Sequence, residues 1–262
     1  MIVGVIDTGC RRTHEDLAAH MWVNDDPPNG LDDDGNGFVD DTFGWNFAGG
    51  NSNTDDVYGH GTQASGIIGA GLDNGVGVAG LANVTLLTAK WWHQSGSDCS
   101  VAESVYYAVD NGASVLNLSL SCGCLMPMTE AAVDYAHAND VVIVCSAGNG
   151  GSDSPHYPAA YAPAMAVSAI DINGQHPSFS SYGAHVDVAA PSPDIITCDE
   201  DGDALYDPGF RGTSAAAPHV AGLAALVRSV NPSLTNDAVR DAINANATDV
   251  GAPGFDDLFG HG

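Results

Sequence analysis

Three polar residues stand at positions that chemistry can use. Gly212-Thr213-Ser214-Ala215, running through Ala216 and Ala217 into Pro218 and a long apolar stretch, places a serine hydroxyl where a loop becomes a helix. Backbone N–H groups at a helix start lack intrahelical partners and carry the positive end of the helix dipole, so an oxyanion formed there is stabilised. Such a serine either caps the helix or acts as a nucleophile, and its company distinguishes the two. Ile2-Val3-Gly4-Val5-Ile6-Asp7-Thr8-Gly9 is a short apolar, β-branched run, read as a buried parallel strand with Asp7 at its carboxyl end. Open α/β sheets place ligands and chemistry at that end. The segment from Gly59-His60-Gly61-Thr62 to Gly69 puts a histidine at the start of a small-residue helix, whose glycines allow close backbone approach. Together these are the parts of an activated nucleophile. His60 would take the Ser214 proton during attack and return it to the leaving group, while Asp7 would hold the imidazole tautomer and stabilise the imidazolium.

The elements that must position these groups follow from apolar patterning. Strands are expected near residues 2–7, 84–90, 114–119, 141–146, 165–170 and 185–188, alternating with helices near 60–70, 101–111, 128–139, 214–229 and 235–245. This alternation predicts an α/β fold of three layers, a mostly parallel twisted sheet with helices on both faces. The 262 residues suit one domain of this class. No internal repeat, linker or apolar stretch of ~20 residues interrupts the pattern. A further buried strand, Val142-Ile143-Val144-Cys145-Ser146-Ala147-Gly148-Asn149, ends in a side-chain amide.

With Asp7, His60, Asn149 and Ser214 in that chain order, the sequence resembles the subtilisin-like serine proteases, the subtilases, from Ile2 to about Gly262. The order Asp, His, Ser is that of subtilisin, not that of chymotrypsin or the α/β-hydrolases. The resemblance implies a serine endopeptidase working through an acyl-enzyme, with Asn149 and the Ser214 N–H receiving the oxyanion. It implies that Leu118-Ser119-Leu120-Ser121 and Ser146-Ala147-Gly148 flank the pocket for the residue before the scissile bond. Ser95-Gly96-Ser97 would pair as an edge strand with an extended peptide. His156 falls where many relatives have a small residue at the pocket floor; it either shortens the pocket or points to solvent. Trp91 and Trp92 are packing residues or the lining of a more distant subsite. Three departures stand out: Ala215 where Met is common, Arg211 where Asn or Ser is usual, and Gln63 in place of a second histidine.

One lysine and five arginines face 33 acids, all but four of them aspartate, for a net charge of −27. This excludes a nucleic-acid partner, since phosphate contacts need Lys and Arg. Aspartate favours turns, so most of the acid belongs to solvated loops or to loops that hold cations. Asp32-Asp33-Asp34-Gly35-Asn36-Gly37-Phe38-Val39-Asp40-Asp41 spaces oxygens at alternate positions like the first half of an EF-hand loop. Asp32, Asp34, Asn36, the Phe38 carbonyl and Asp41 or Asp40 would close the shell, although Phe43 stands where an EF-hand carries its bidentate Glu. The resemblance implies a second calcium at Asp16, Asn74 and the carbonyls of Val76 and Val78. The run Asp199 to Asp207 is either a third cation loop or a solvated turn.

Six cysteines do not by themselves choose a pairing; Cys145 reads as a core residue, and Cys99 with Cys122 or Cys124 as a bridge across the cleft. Relatives carry an N-terminal arm, a propeptide and a last helix that residues 1–262 do not supply, so these residues read as one peptidase domain of a longer, secreted precursor. The expected partners are polypeptide substrates and calcium, with the chain acting as a monomer. The alternative is a catalytically silent calcium-binding or adhesive protein on the same fold.

Overall fold

Alternate residues of each apolar run enter two different cores, one on either face of a sheet. The computed structural model describes residues 1–92 and 96–262. Its strands are β1 (Ile2–Asp7), β2 (Trp45–Asn46), β3 (Thr85–Lys90), β4 (Val115–Leu118), β5 (Val142–Ser146), β6 (Ala164–Ile170) and β7 (Val186–Pro191). They lie in the order β2-β3-β1-β4-β5-β6-β7, and every pairing is parallel. Val3, Val5, Leu86, Val115, Val144 and Met165 face one core; Ile6, Leu87, Leu116, Ile143 and Ala166 face the other. A parallel sheet buried on both faces needs helices on both.

Five helices supply them: α1 (His60–Gly69), α2 (Asp98–Asp110), α3 (Pro127–Ala138), α4 (Thr213–Val230) and α5 (Asn236–Asn246). Ala64 and Ile68 of α1, Ala217, Ala221 and Ala225 of α4 and Val239 of α5 fill the first core. Val101 and Val105 of α2 with Val133 and Ala136 of α3 fill the second. This is the three-layer α/β arrangement expected from the sequence. Helix α2 begins three residues earlier than its apolar pattern suggests. The reason is a capping box: Ser97 Oγ accepts from Ser100 N (3.1 Å) and Ser100 Oγ accepts from Ser97 N (2.9 Å).

Strand β1 lies between β3 and β4, so the chain leaves it to one side and later returns on the other. That reversal is the topological switch point, where the carboxyl ends of strands open a crevice. Asp7 ends β1 there. An antiparallel hairpin, β8 (Ile195–Cys198) and β9 (Tyr206–Phe210), was not anticipated; Pro208, Gly209 and the acidic turn between the strands hide its pattern.

Arg228 ties α4 to the far end of the sheet. Nearly all buried, it donates to Ser114 O (2.9 Å), Asp140 O (2.6 Å), Asp140 Oδ2 (2.7 Å) and Leu234 O (3.2 Å). Arg228→Met keeps the stem and strips these acceptors of a charged donor. It is expected to lower unfolding free energy by about 2–4 kcal/mol, read as an earlier midpoint in urea with unchanged slope.

Candidate active site

Asp7 is 3 % exposed, and its Oδ1 accepts from its neighbour's backbone, Thr8 N, at 2.7 Å. The same oxygen lies 2.7 Å from His60 Nδ1 on the first residue of α1. Helix α1 can come this close because residue 61 is glycine: a Cβ there would overlap Gly9 O. With Asp7 ionised, the contact assigns the proton to Nδ1 and leaves Nε2 as the basic nitrogen. Burial by itself would lower the imidazole's pKa. The charge and hydrogen bond of Asp7, with the charge of Asp56, outweigh that, and the net shift is upward. Phe210 presents its ring edgewise at 5.3 Å and walls one side of the imidazole.

Ser214 is the second residue of α4, after Gly212 at φ 92°, a conformation that side chains resist. Pro218 has no N–H to give the Ser214 carbonyl four residues back. Ser119 Oγ fills that place, donating to Ser214 O at 3.0 Å, while Ser214 Oγ donates to Ser119 O at 3.2 Å. The serine is thus held by a reciprocal pair, its hydroxyl turned to Ser119. Asn149 lies against Gly212, its Oδ1 accepting from Thr213 N (2.8 Å) and Thr213 Oγ1 (3.1 Å). Among the described residues its Nδ2 has no hydrogen-bond partner. Ala215 N is bound to Gly212 O, so the Ser214 N–H is the helix-start donor left beside Asn149.

An acid and a histidine are therefore in contact at the switch point of a parallel sheet, and an amide is joined to the start of α4, which carries the serine. A family model described as the subtilase family matches residues 1–262.

The chain belongs to the subtilase family.

Its relatives include a thermophilic serine proteinase from Bacillus sp. (strain AK1), 37 % identical over 96 % of this chain and 57 % of that protein. Subtilisin Savinase from Lederbergia lenta is 40 % identical over 84 % of this chain and 80 % of that protein. Several of the curated relatives are matched over little more than half their length. Among solved structures, a cold-adapted subtilisin-like serine proteinase superposes with TM-score 0.79 at 28 % identity, over 95 % of this chain and 82 % of that one. A psychrophilic protease superposes with TM-score 0.82 at 28 % identity, over all of this chain and 89 % of that one.

Around the subtilase site, Leu118 closes β4 and is buried, as are Ser119 and Leu120 beyond it. Ala147 and Gly148 follow β5, and Gly148 N donates to Thr213 Oγ1 at 3.1 Å, joining this segment to the start of α4. His156 is half-buried; its ring packs on Gly148 and reaches Gly150, and its Nδ1 is buried without a partner. Gly96 packs on Trp91 and Trp92, and Ser97 caps α2, so neither lies in a strand; Ser95 falls outside the described residues. A cavity of about 390 Å³ opens beside the dyad, lined by Asp7, His60, Tyr58, Trp91, Trp92 and Leu120 among others. Trp92 and Tyr58 pack at 4.3 Å between centroids along this wall. Both tryptophans therefore face a cavity as well as pack. Arg211 is exposed, Ala215 is fully buried, and Gln63 Nε2 donates to Asp207 Oδ2 (2.5 Å), tying α1 to the β8–β9 hairpin.

The bridge expected between Cys99 and Cys122 or Cys124 is not formed. Cys122 pairs with Cys124, while Cys99 keeps a free thiol. Cys145 is a buried thiol in β5, where burial pushes its pKa up.

In the acidic loop, Asp34 and Asp41 face each other across two amides. Asn24 Nδ2 reaches Asp34 Oδ2 (2.7 Å) and Asp41 Oδ1 (2.6 Å); Asn36 Nδ2 reaches Asp34 Oδ2 (2.9 Å) and Asp41 Oδ2 (3.0 Å). Asp32 accepts from the backbones of Gly35, Asn36 and Gly37, shaping the turn. The Phe38 ring packs on Trp45, Phe47 and Tyr107. Sequence reading missed Asn24 and the fully buried Asp26, which accepts from Asp33 N and Asp41 N. At the second set, Asp16 Oδ1 accepts from Asn74 Nδ2 (2.6 Å), and Oδ2 from Val78 N and Tyr206 OH (2.9 Å each); Val76 N donates to Asn74 Oδ1. Asp199, Glu200 and Asp201 are the one group of three such side chains, among the described residues, with ligand atoms within 4.8 Å of one another. Burial and then the neighbouring acids push the Glu200 carboxyl up to about 7.

Proposed function

We propose that this subtilase domain is a serine endopeptidase that cleaves extended polypeptide segments through an acyl-enzyme. The observation that carries the reading is the 2.7 Å contact of His60 with Asp7; Ser214, at the start of α4, is the nucleophile of the proposal. Nε2 of His60 takes the proton as Ser214 Oγ bonds to the scissile carbonyl carbon. The carbonyl electron pair moves to oxygen, received by Asn149 Nδ2 and the Ser214 N–H. Its return expels the amine, which leaves with the proton from His60, and an ester remains on Ser214. Water repeats the sequence, releasing the acid and restoring the serine. The substrate backbone lies along Ser119–Leu120 on one side and Gly96 and Ser97 on the other. Its side chain before the scissile bond enters the space flanked by Leu118, Ala147, Gly148 and His156.

Calcium is the proposed structural cofactor. Asp34, Asp41, Asn24 and Asn36 fit it: two carboxylates face each other, and rotating either amide would bring an oxygen to the same point. Asp32 and the Phe38 carbonyl complete the proposed set. Calcium there would neutralise clustered carboxylates. A cation at Asp16, Asn74, Val76 and Val78 would take the place of the Asn74 amide and Tyr206 hydroxyl as partner of Asp16. Calcium 100-fold above its Kd adds about 2.7 kcal/mol by linkage, worth roughly 5–10 °C for a chain of this size. Chelation is expected to lower Tm by that amount in wild type and by much less in Asp41→Asn; equal melting curves with and without chelator would sink the assignment.

The net charge of −27 is best tolerated in a medium rich in cations, which supports secretion. The chain is proposed to act as a monomer. No helix among the described residues is long and apolar enough to cross a membrane. The deciding experiment is labelling by a fluorophosphonate serine probe, with calcium and with chelator, beside Ser214→Ala and a circular-dichroism check of folding. Labelling that needs Ser214 supports the peptidase. Absence of labelling in folded, calcium-loaded protein would favour a silent calcium-binding or adhesive role.

A further inference from the structure

Asp56 sits just before α1, nearly buried, and belongs to neither the acid, base nor nucleophile of the proposed relay. Its two oxygens accept five hydrogen bonds. Oδ1 takes Thr8 Oγ1 (2.9 Å), Tyr58 N (3.0 Å) and Gly59 N (3.1 Å); Oδ2 takes Thr62 N (2.9 Å) and Thr62 Oγ1 (2.8 Å). Thr8 follows Asp7, and its hydroxyl also accepts from Gly61 N at 3.0 Å. Gly59 and Gly61 flank His60 on either side. A closed ring of contacts thus runs from Asp7 through Thr8 to Asp56, then to both sides of His60, and back through the imidazole to Asp7.

We propose that Asp56 is a positioning residue for His60: it fixes the histidine turn against the end of β1, and its negative charge favours the imidazolium that forms during proton transfer. The proposal rests on reading His60 as the general base. Five donors cannot be satisfied by an apolar residue or by an amide, whose nitrogen would face Thr62 N–H. Misplacement of a catalytic group by a fraction of an ångström is costly, because the near-attack geometry is lost.

The groups around the imidazole determine what charge it feels. Asp7 approaches from β1 and the Phe210 ring from β9. From the β8–β9 turn, the Glu200 carboxylate packs on Gly59. Lys90, at the end of β3, gives its ammonium to Asp55 O and offsets part of the local negative charge. Cys10 nearby is a buried thiol whose pKa is pushed up to about 12, chiefly by burial, and it carries no charge. Asp56 adds to Asp7 in raising the His60 pKa against the opposing effect of burial.

The test is kcat and KM for a chromogenic peptide against pH, in full-length wild type, Asp56→Asn, Asp56→Glu and Thr8→Val, each checked by circular dichroism. Asp56→Asn is expected to lower kcat roughly ten- to a hundredfold with KM little changed, and to move the acid limb of kcat/KM to lower pH. Asp56→Glu should return the limb toward wild type. Thr8→Val, which breaks the ring but keeps the charge, should slow kcat and leave the limb in place. Wild-type kcat in Asp56→Asn, or a slower enzyme whose limb has not moved, overturns the proposal. Should Asp56→Asn not fold, wild-type kcat in Thr8→Val overturns it instead. Loss of Ser214-dependent probe labelling in the parent protein is a separate result, and it would remove the general-base reading beneath.

Discussion

Ser214→Ala is expected to lower kcat about 10⁶-fold, the size known for the same change in subtilisin itself, while the protein stays folded. The structure explains why stability and rate should part company. The hydroxyl's one hydrogen bond, to Ser119 O at 3.2 Å, is long, and its loss costs about 0.5–1.5 kcal/mol. The carbonyl of residue 214 keeps its bond from Ser119 Oγ, so the start of α4 stays anchored. The rate, by contrast, would lose the atom proposed to form the acyl bond. His60→Ala should cost about as much, and the double variant little more, because the two groups act as a unit. Active protein is counted by fluorophosphonate titration and rates are taken on a peptide substrate. Hydrolysis surviving at the wild-type rate in Ser214→Ala would assign the activity to another site or to a contaminant.

The sheet and the Asp7–His60 contact were legible because their signals are local. Five apolar residues ending in Asp7 say both strand and strand end, and Gly-His-Gly-Thr says helix start and close approach in four residues. Asp56 was not legible by the same route. It is one aspartate among many in an acidic chain, and only the fold brings Thr8, 48 positions away, to its oxygen. Asn24 and Asp26 escaped for a related reason: the calcium-like spacing draws the eye to Asp32–Asp41, yet the loop is closed by residues that precede it. The β8–β9 hairpin carries Pro208, Gly209 and an acidic turn, each of which argues against a strand in isolation. The Cys122–Cys124 bridge joins neighbours two apart, whereas a cleft-spanning bridge from Cys99 depends on through-space distances that sequence does not contain.

Much of the acid is also more structural than its abundance suggests. Asp171 Oδ1 accepts from Asn173 N and Gln175 N, and Asp256 from Ala252, Leu258 and Phe259 backbones. Asp98 holds the first turn of α3 through Met128 N and Thr129 N. Asp171 and Asp256 pin their own turns because a short carboxylate reaches backbone N–H groups within four residues, whereas Asp98 caps a helix 30 positions away. The composition therefore reflects two demands at once, a charged surface and turns that are pinned by carboxylates.

Asn149→Asp and Asn149→Leu together separate two roles that a single change would confuse. The side chain ties the loop after β5 to α4 through Oδ1, which accepts from Thr213 N and Thr213 Oγ1. In the proposed mechanism it also offers Nδ2 to the developing oxyanion. Asn149→Asp keeps an acceptor for Thr213 and replaces the donor by a negative oxygen. Asn149→Leu loses both and leaves Thr213 N unpaired, at a cost of about 1–3 kcal/mol. Both are expected to lower kcat by ~10²–10³ with KM little changed, the size measured for this donor in subtilisin, and the aspartate to fall at least as far because it repels the oxyanion. Only the leucine variant should melt earlier. If Asn149→Asp stays within a few-fold of wild type in kcat, the amide does not touch the oxyanion, and the helix-start N–H of Ser214 carries that charge without it.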